Sequence, residues 1–208
     1  MVGAAGVEQT AAFCQSRIDA FYRTVADQIG KPESVYLAEK SSPGPPSPVT
    51  GLLDEIYPGR REIVLVRDFR DIFCSWRSFS MSRSIPQPPG VETDEDRLRF
   101  WSRQAALMLS HWRKRSSQVH LVRFEDLFLR PAPIIEGLLR YLALDARPET
   151  VETLVSALNT QGPAQRSHMT SPSRHASIGR WQRDLDPALQ EAATESFGPA
   201  LEEFGYEL

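Results

Sequence analysis

Residues 8–29 predict an amphipathic helix. Apolar side chains recur there near the helical period with polar residues between them, namely Phe13, Ile18, Phe21, Val25 and Ile29. Gly30 and Pro32 predict the end of this helix. The same kind of pattern predicts helices over residues 51–57, 95–115, 131–142, 150–158 and 187–203. Helices therefore make up most of the predicted regular structure.

Three short apolar runs predict strands, at residues 35–38, 63–66 and 119–123. The middle run is continuous, β-branched and aliphatic, which is typical of a strand covered on both faces of a parallel sheet. Strands separated by helices predict an α/β fold of three layers, in which helices flank a parallel sheet. Three strands form a thin sheet, so either the N-terminal helix caps a small sheet or further strands lie before Met1.

The strand at residues 63–66 is followed directly by a helical pattern. Asp68 and Asp71 have the spacing of an N-cap and an acidic partner three residues later. The chain therefore turns from a strand into a helix at Arg67. Ligands of parallel sheets bind at the carboxyl ends of the strands, where Arg67, Lys40 and Arg123 are expected to lie.

Composition excludes several classes of partner. The chain has 208 residues, a net charge of −3 and two cysteines. A negative net charge disfavours a general electrostatic grip on nucleic acid, and two distant cysteines do not form a disulfide framework. No apolar run reaches the roughly 18 residues of a membrane span. We expect a cytoplasmic protein with neither nucleic acid nor a membrane as partner, and homo-oligomer formation is left open.

The common nucleotide and hydrolase motifs are missing from the sequence. It has no Gly-x-x-x-x-Gly-Lys-Ser/Thr loop, no Gly-x-Gly-x-x-Gly and no Gly-x-Ser-x-Gly. The four histidines are scattered without the spacing of paired ligands, so no metal site is predicted.

Arg67 and Ser75 are the first candidates for binding chemistry. Arg67 ends a strand and Ser75 lies in the first turns of the next helix, so a guanidinium and a hydroxyl can converge on one oxyanion beside a helix N-terminus. That arrangement suits a terminal phosphate. The spacing alone fits an alternative at least as well, in which Arg67 pairs only with Asp68 or Asp71 and Ser75 is a surface residue.

Residues 64–79, VLVRDFRDIFCSWRSF, resemble the 3′-phosphate-binding strand and helix of sulfotransferases that use 3′-phosphoadenosine-5′-phosphosulfate (PAPS). The resemblance implies that Arg67 and Ser75, eight positions apart, hold the 3′-phosphate. Residues 118–131, QVHLVRFEDLFLRP, are similar to the strand and Tyr-Glu-Asp-Leu motif of that family, with Phe124 in place of the tyrosine. The residues themselves indicate that Glu125 and Asp126 cap the next turn.

Two further segments carry the same resemblance. Residues 36–43, YLAEKSSP, resemble the Glu-Lys-Thr-Pro element of the family, which implies a catalytic Lys40 near the sulfuryl group. Residues 167–185 resemble the late loop that closes over the 3′-phosphate, so that Arg174 and Gly179 would bind the donor and Trp181 completes the motif. Ala176 stands where the family has glycine. Without the resemblance, Arg174 can also be interpreted as a solvent-exposed charge and Trp181 as a packing residue.

The resemblance spans residues 36–208 and implies one sulfotransferase-like domain over residues 1–208. The implied fold is the P-loop NTPase-like fold of that family, incomplete at its N-terminus, because nothing before Lys40 resembles the loop that binds the 5′-phosphosulfate. The hypothesis is metal-free transfer of a sulfuryl group from PAPS to a hydroxyl or amine acceptor. Alternatives are a non-catalytic nucleotide-binding or assembly module and a phosphoryl-transfer kinase. The acceptor and the general base stay open.

Overall fold

The computed structural model describes residues 4–34, 36–40, 53, 55–83, 89–160, 162 and 169–208. The chain divides into two compact units, Met1–Arg60 and Arg61–Leu208. No helix in the described ranges is both long and apolar enough to cross a membrane.

The first unit contains a 25-residue helix, α1, over Ala4–Gln28. It confirms the helix predicted over residues 8–29. Gly30, with φ of 69°, ends the helix: its amide bonds the carbonyl of Asp27, and the amide of Lys31 bonds that of Ala26. These two bonds form a Schellman motif, for which a glycine in the left-handed region is suited.

The strand predicted over residues 35–38 is wrong for Tyr36, Leu37 and Ala38, which have no regular secondary structure. Tyr36 and Leu37 are exposed. Val35 lies outside the described residues. Of the helix predicted over residues 51–57, residues 53, 55 and 56 are helical, and residues 51, 52 and 54 lie outside the described ranges.

The second unit is a helix-rich α/β structure with a small parallel sheet. Strands β1, Glu62–Val66, and β2, Val119–Arg123, pair in parallel, with Val66 opposite Arg123. Both strands were predicted, but the described residues form a sheet of two strands and not of three. The expectation that β1 is covered on both faces is also wrong. Its side chains alternate, so that Val64 is buried and Leu65 is 53% exposed.

Seven helices and a short 3₁₀ turn complete the described part of this unit. The helices are α2 (Phe69–Arg83), α3 (Asp94–Arg115), α4 (Phe124–Leu129), α5 (Pro131–Tyr141), α6 (Pro148–Asn159), α7 (Trp181–Asp184) and α8 (Pro187–Glu203), and the 3₁₀ turn is His175–Ser177. The four long helices predicted between residues 95 and 203 are confirmed to within two residues at each end.

The core of the second unit lies where α2, α3 and α8 meet the sheet. Phe73 and Cys74 of α2 and Phe197 and Leu201 of α8 are almost completely buried there, together with Val66 of β1. Burial of apolar surface stabilises the folded state by roughly 25 cal/mol per Å². This cluster therefore holds the start of α2 firmly against the end of β1.

Candidate functional site

The junction between β1 and α2 positions the site. Asp68 caps α2, because its Oδ1 accepts the backbone N–H of Arg70 at 2.9 Å. The predicted role of Asp71 as the second half of this cap is wrong. The carboxylate of Asp71 turns away from the cap and accepts the N–H groups of Gly179 at 2.7 Å and Trp181 at 3.0 Å. Asp71 thus fastens a distant segment to the start of α2.

A polar stripe runs along one side of this junction. It consists of Asp71, Ser75 and Ser78, whose spacing of four and three residues places them on one face of α2, and of Arg67, which lies just before the helix. Residues 169–181, here called the late segment, pack on this stripe, since each of the four side chains bonds a residue of that segment.

An open cleft of about 290 Å³ lies at one end of the polar stripe. Its walls are formed by Arg67, Ile72, Ser75, Trp76, Phe79 and Trp101. The structure therefore brings Arg67 and Ser75 together on one cavity. Most of the remaining wall is aromatic, which makes the surroundings of the guanidinium apolar and strengthens any electrostatic contact that it makes.

The guanidinium of Arg67 is only partly satisfied by protein partners. Its Nη2 donates to the carbonyl of Ser177 and lies 3.9 Å from Oδ2 of Asp71. Its Cζ atom lies 4.6 Å from the ring centre of Phe124. Its Nε is buried and has no hydrogen-bond partner among the described residues. Burial lowers the pKa of Arg67, and the charges of Asp71 and Glu125 oppose that change.

Trp101 lines the same cleft and carries a second buried donor. Its Nε1 also has no hydrogen-bond partner in the described ranges. An indole N–H and a guanidinium N–H can only donate. Buried donors without partners are costly. Nothing in the sequence pattern pointed to Trp101, because its position depends on how α3 packs against α2.

Ser75 takes part in a hydrogen-bond chain that the sequence did not indicate. Its Oγ lies 3.1 Å from Oγ1 of Thr170, which accepts the Nη1 hydrogen of Arg180 at 2.7 Å. Arg180 is 5% exposed, and it also donates to Ser78 at 3.0 Å and to Asp184 at 2.6 Å. The one available signal was that Arg180 occupies the middle position of the Gly-x-Trp triplet.

Asp71 is completely buried beneath the late segment. Burial raises its pKa to about 6, against the opposing effects of the Trp181 and Gly179 amides and of Arg67. Gly179 has a φ of 64°, a conformation that suits glycine, and this turn directs its amide toward Asp71. The amide of Gly179 is therefore occupied by a carboxylate of the protein.

Arg174 does not line the cleft of Arg67 and Ser75. Its Nη1 donates to the carbonyl of Leu158, and its guanidinium lies 5.0 Å from the ring centre of Phe128. Trp181 packs as an aromatic platform, because the guanidinium of Arg70 lies 3.9 Å from its ring centre.

Lys40 belongs to the first unit, where its side chain is exposed and residues 36–40 have no regular secondary structure. Its assignment as a catalytic residue stays a prediction.

Glu125 links the ends of the two strands. Its Oε1 accepts the N–H of Asp68 at 3.0 Å and its Oε2 accepts the hydroxyl of Tyr206 at 2.7 Å. Its predicted role in capping the next turn is therefore wrong. Glu125 is 7% exposed and holds the β1–α2 junction against β2 and the C-terminal residues.

Comparison with known proteins gives a family match that covers the strands and the first part of the site. A family model described as the sulfotransferase family matches residues 2–148. The matched region includes both strands of the sheet, Arg67 and Ser75, and it ends before the late segment. It begins well before residue 36, so the family match extends further toward the N-terminus than the motifs do. A search of the curated proteins found no match. Since the family model matches most of the chain, the protein belongs to the sulfotransferase family.

Proposed function

We propose that this protein transfers a sulfuryl group from PAPS to a hydroxyl or amine acceptor, and that Arg67 and Ser75 bind the 3′-phosphate of the donor. Membership of the sulfotransferase family supports sulfuryl transfer. One observation carries the donor assignment: Arg67 and Ser75, a guanidinium and a hydroxyl eight residues apart, line a single cleft.

The chemistry of the cleft suits a phosphate group. A phosphate dianion only accepts hydrogen bonds, and Arg67 and Ser75 both carry hydrogens to donate. Hydrogen bonds between ionised partners are about twice as strong as neutral ones. The contact between Arg67 and Asp71 is long, at 3.9 Å, so the guanidinium is not held in a close ion pair that a phosphate would have to break.

The proposed reaction is an in-line displacement at sulfur. The acceptor oxygen or nitrogen forms a bond to sulfur while the bond between sulfur and the phosphate oxygen breaks, and the acceptor loses its proton. The products are the sulfated acceptor and adenosine 3′,5′-bisphosphate. Positioning and stabilisation of charge on the leaving phosphate supply most of the rate enhancement in such a scheme.

Three further residues have roles in this proposal. Lys40 would neutralise charge near the transferred group. Gly179 supports the donor site through its bond to Asp71, which holds the late segment on α2. Arg174 reaches a phosphate in the cleft only after giving up its bond to the carbonyl of Leu158.

Calorimetry with three nucleotides tests the donor assignment. We expect adenosine 3′,5′-bisphosphate to bind at least about tenfold more tightly than AMP, because only the bisphosphate can bond Arg67 and Ser75 through a 3′-phosphate. Equal affinity for the bisphosphate and AMP would overturn the assignment. Preference for ATP would favour the alternative of phosphoryl transfer.

Turnover separates an enzyme from a binding module. Incubation with PAPS and a panel of hydroxyl and amine acceptors is expected to release adenosine 3′,5′-bisphosphate in amounts equal to the sulfated product. Selective binding of the bisphosphate with no transfer to any acceptor would instead support the non-catalytic module.

A further inference from the structure

A chain of three hydrogen-bonding groups leads from a buried arginine to the cleft. The guanidinium of Arg180 contacts Oγ1 of Thr170 at 2.7 Å, and that oxygen lies 3.1 Å from Oγ of Ser75. Ser75 lines the cleft and Thr170 does not. Thr170 therefore stands behind Ser75 as seen from the cleft.

The direction of the first of these bonds follows from the chemistry of the groups. Arg180 can only donate, so the oxygen of Thr170 accepts at one lone pair. The hydroxyl oxygens of Thr170 and Ser75 lie 3.1 Å apart, and either hydroxyl can be the donor. With Thr170 donating, the hydrogen of Ser75 is free to point into the cleft. An acceptor-only anion in the cleft favours this direction, because in the opposite one the hydrogen of Ser75 is directed at Thr170.

We propose that Thr170 is a positioning residue that aims the hydroxyl hydrogen of Ser75 at the anion in the cleft. This inference rests on the proposed function, because it takes that anion to be the 3′-phosphate of the sulfuryl donor. In this arrangement Arg180 donates to Thr170, Thr170 to Ser75 and Ser75 to the phosphate. Each hydrogen bond polarises the next, which strengthens the bond from Ser75 to the phosphate.

The surroundings of Arg180 hold the start of this chain in place. Besides Thr170, its guanidinium donates to Oγ of Ser78 on α2 and to the carboxylate of Asp184 at the end of α7. Because Arg180 is almost completely buried and each of its side-chain nitrogens has a partner, its Nη1 cannot turn away from Thr170 without breaking other bonds. Thr170 therefore meets a fixed donor.

The test compares Thr170→Val, which removes the hydroxyl but keeps the shape, with Thr170→Ser, which keeps the hydroxyl. Calorimetry measures binding of adenosine 3′,5′-bisphosphate and of AMP. We expect the valine variant to bind the bisphosphate about fivefold more weakly with AMP unchanged, the effect of losing one oriented neutral hydrogen bond. The serine variant is expected to bind both nucleotides as the wild type does. Thr153→Val, on the exposed surface of α6, is the matched control.

A double-variant comparison shows whether Thr170 acts through Ser75. In a Ser75→Ala background, Thr170→Val is expected to cause no further loss, because there is no serine hydroxyl left to orient. An equal loss in both backgrounds, or a serine variant as weak as the valine variant, would overturn the inference. Thr170→Ala provides the same comparison if the valine variant does not fold.

Failure of the inference and failure of the proposed function give different results. If wild-type protein binds the bisphosphate and AMP equally, the 3′-phosphate site is wrong and the role of Thr170 falls with it. If the wild type discriminates and Thr170→Val discriminates to the same extent, the 3′-phosphate site stands and only the role of Thr170 is overturned.

Discussion

Replacement of Arg67 by alanine is expected to weaken binding of adenosine 3′,5′-bisphosphate by about 2 kcal/mol or more, which is about 30-fold. The guanidinium is the group in the cleft that combines a positive charge with a buried donor lacking a partner among the described residues. AMP has no 3′-phosphate, so its affinity is expected to stay the same. Calorimetry with the two nucleotides measures both effects.

Two controls accompany this variant. Arg140→Ala removes the same charge from the surface of α5, where the side chain is 72% exposed, and is expected to change neither affinity. Arg67→Lys keeps the charge beside Asp71 but loses the planar donor geometry, so it separates loss of charge from loss of shape. An unchanged affinity for the bisphosphate in a folded Arg67→Ala variant would show that Arg67 does not bind the 3′-phosphate.

Replacement of Asp71 by alanine is expected to lower the free energy of unfolding by about 2 kcal/mol at pH 7. The variant leaves the buried N–H groups of Gly179 and Trp181 without their acceptor and removes the carboxylate beside Arg67. Urea unfolding measures the effect. Glu152→Ala, an exposed carboxylate on α6, is the matched control and is expected to change the free energy of unfolding very little.

The effect of Asp71→Ala is expected to depend on pH. Burial raises the pKa of Asp71 from 3.8 to about 6 in the folded state. The folded protein therefore binds this proton more tightly than the unfolded chain, and the resulting stability is fully present below about pH 4 and lost as the pH rises through about 6. A shift of roughly two pKa units corresponds to about 3 kcal/mol.

The difference in stability between wild type and Asp71→Ala is thus expected to increase as the pH falls from 7 to 4. Other titrating groups are common to both proteins, so they largely cancel in this difference. A difference that stays constant or becomes smaller toward pH 4 would mean that Asp71 is not held in a buried site that favours its protonated form.

The pattern of strand and helix positions predicted the part of the site whose residues are close together in the sequence. The strand β1, the turn at Arg67 and the start of α2 lie within a short stretch, and Ser75 follows two helical turns later. Strand and helix periods fix the direction of side chains over such a distance, so the meeting of Arg67 and Ser75 on one cleft could be predicted.

Partners that are distant in the sequence could not be predicted in the same way. The spacing of Asp71 fitted a helix cap, but the amides of Gly179 and Trp181 bind its carboxylate from more than 100 residues away. Arg174 fitted a family motif, yet its guanidinium bonds the carbonyl of Leu158. In both cases tertiary contacts decide which of several chemically reasonable partners a side chain takes.

The strand predicted at residues 35–38 is wrong for residues 36–38. An apolar run becomes a strand only when another strand is present to pair with it. Tyr36 and Leu37 are exposed and have no regular secondary structure. The run at residues 119–123 has a similar composition and does form a strand, because β1 lies beside it.

The structure of the complex with adenosine 3′,5′-bisphosphate tests the account most directly. The expected result is a 3′-phosphate in the cleft beside Trp76, with its oxygens within hydrogen-bond distance of the guanidinium of Arg67 and of Oγ of Ser75. A nucleotide bound away from this cleft, or one whose 3′-phosphate faces solvent while Arg67 keeps only its contacts to Ser177 and Asp71, would contradict the account.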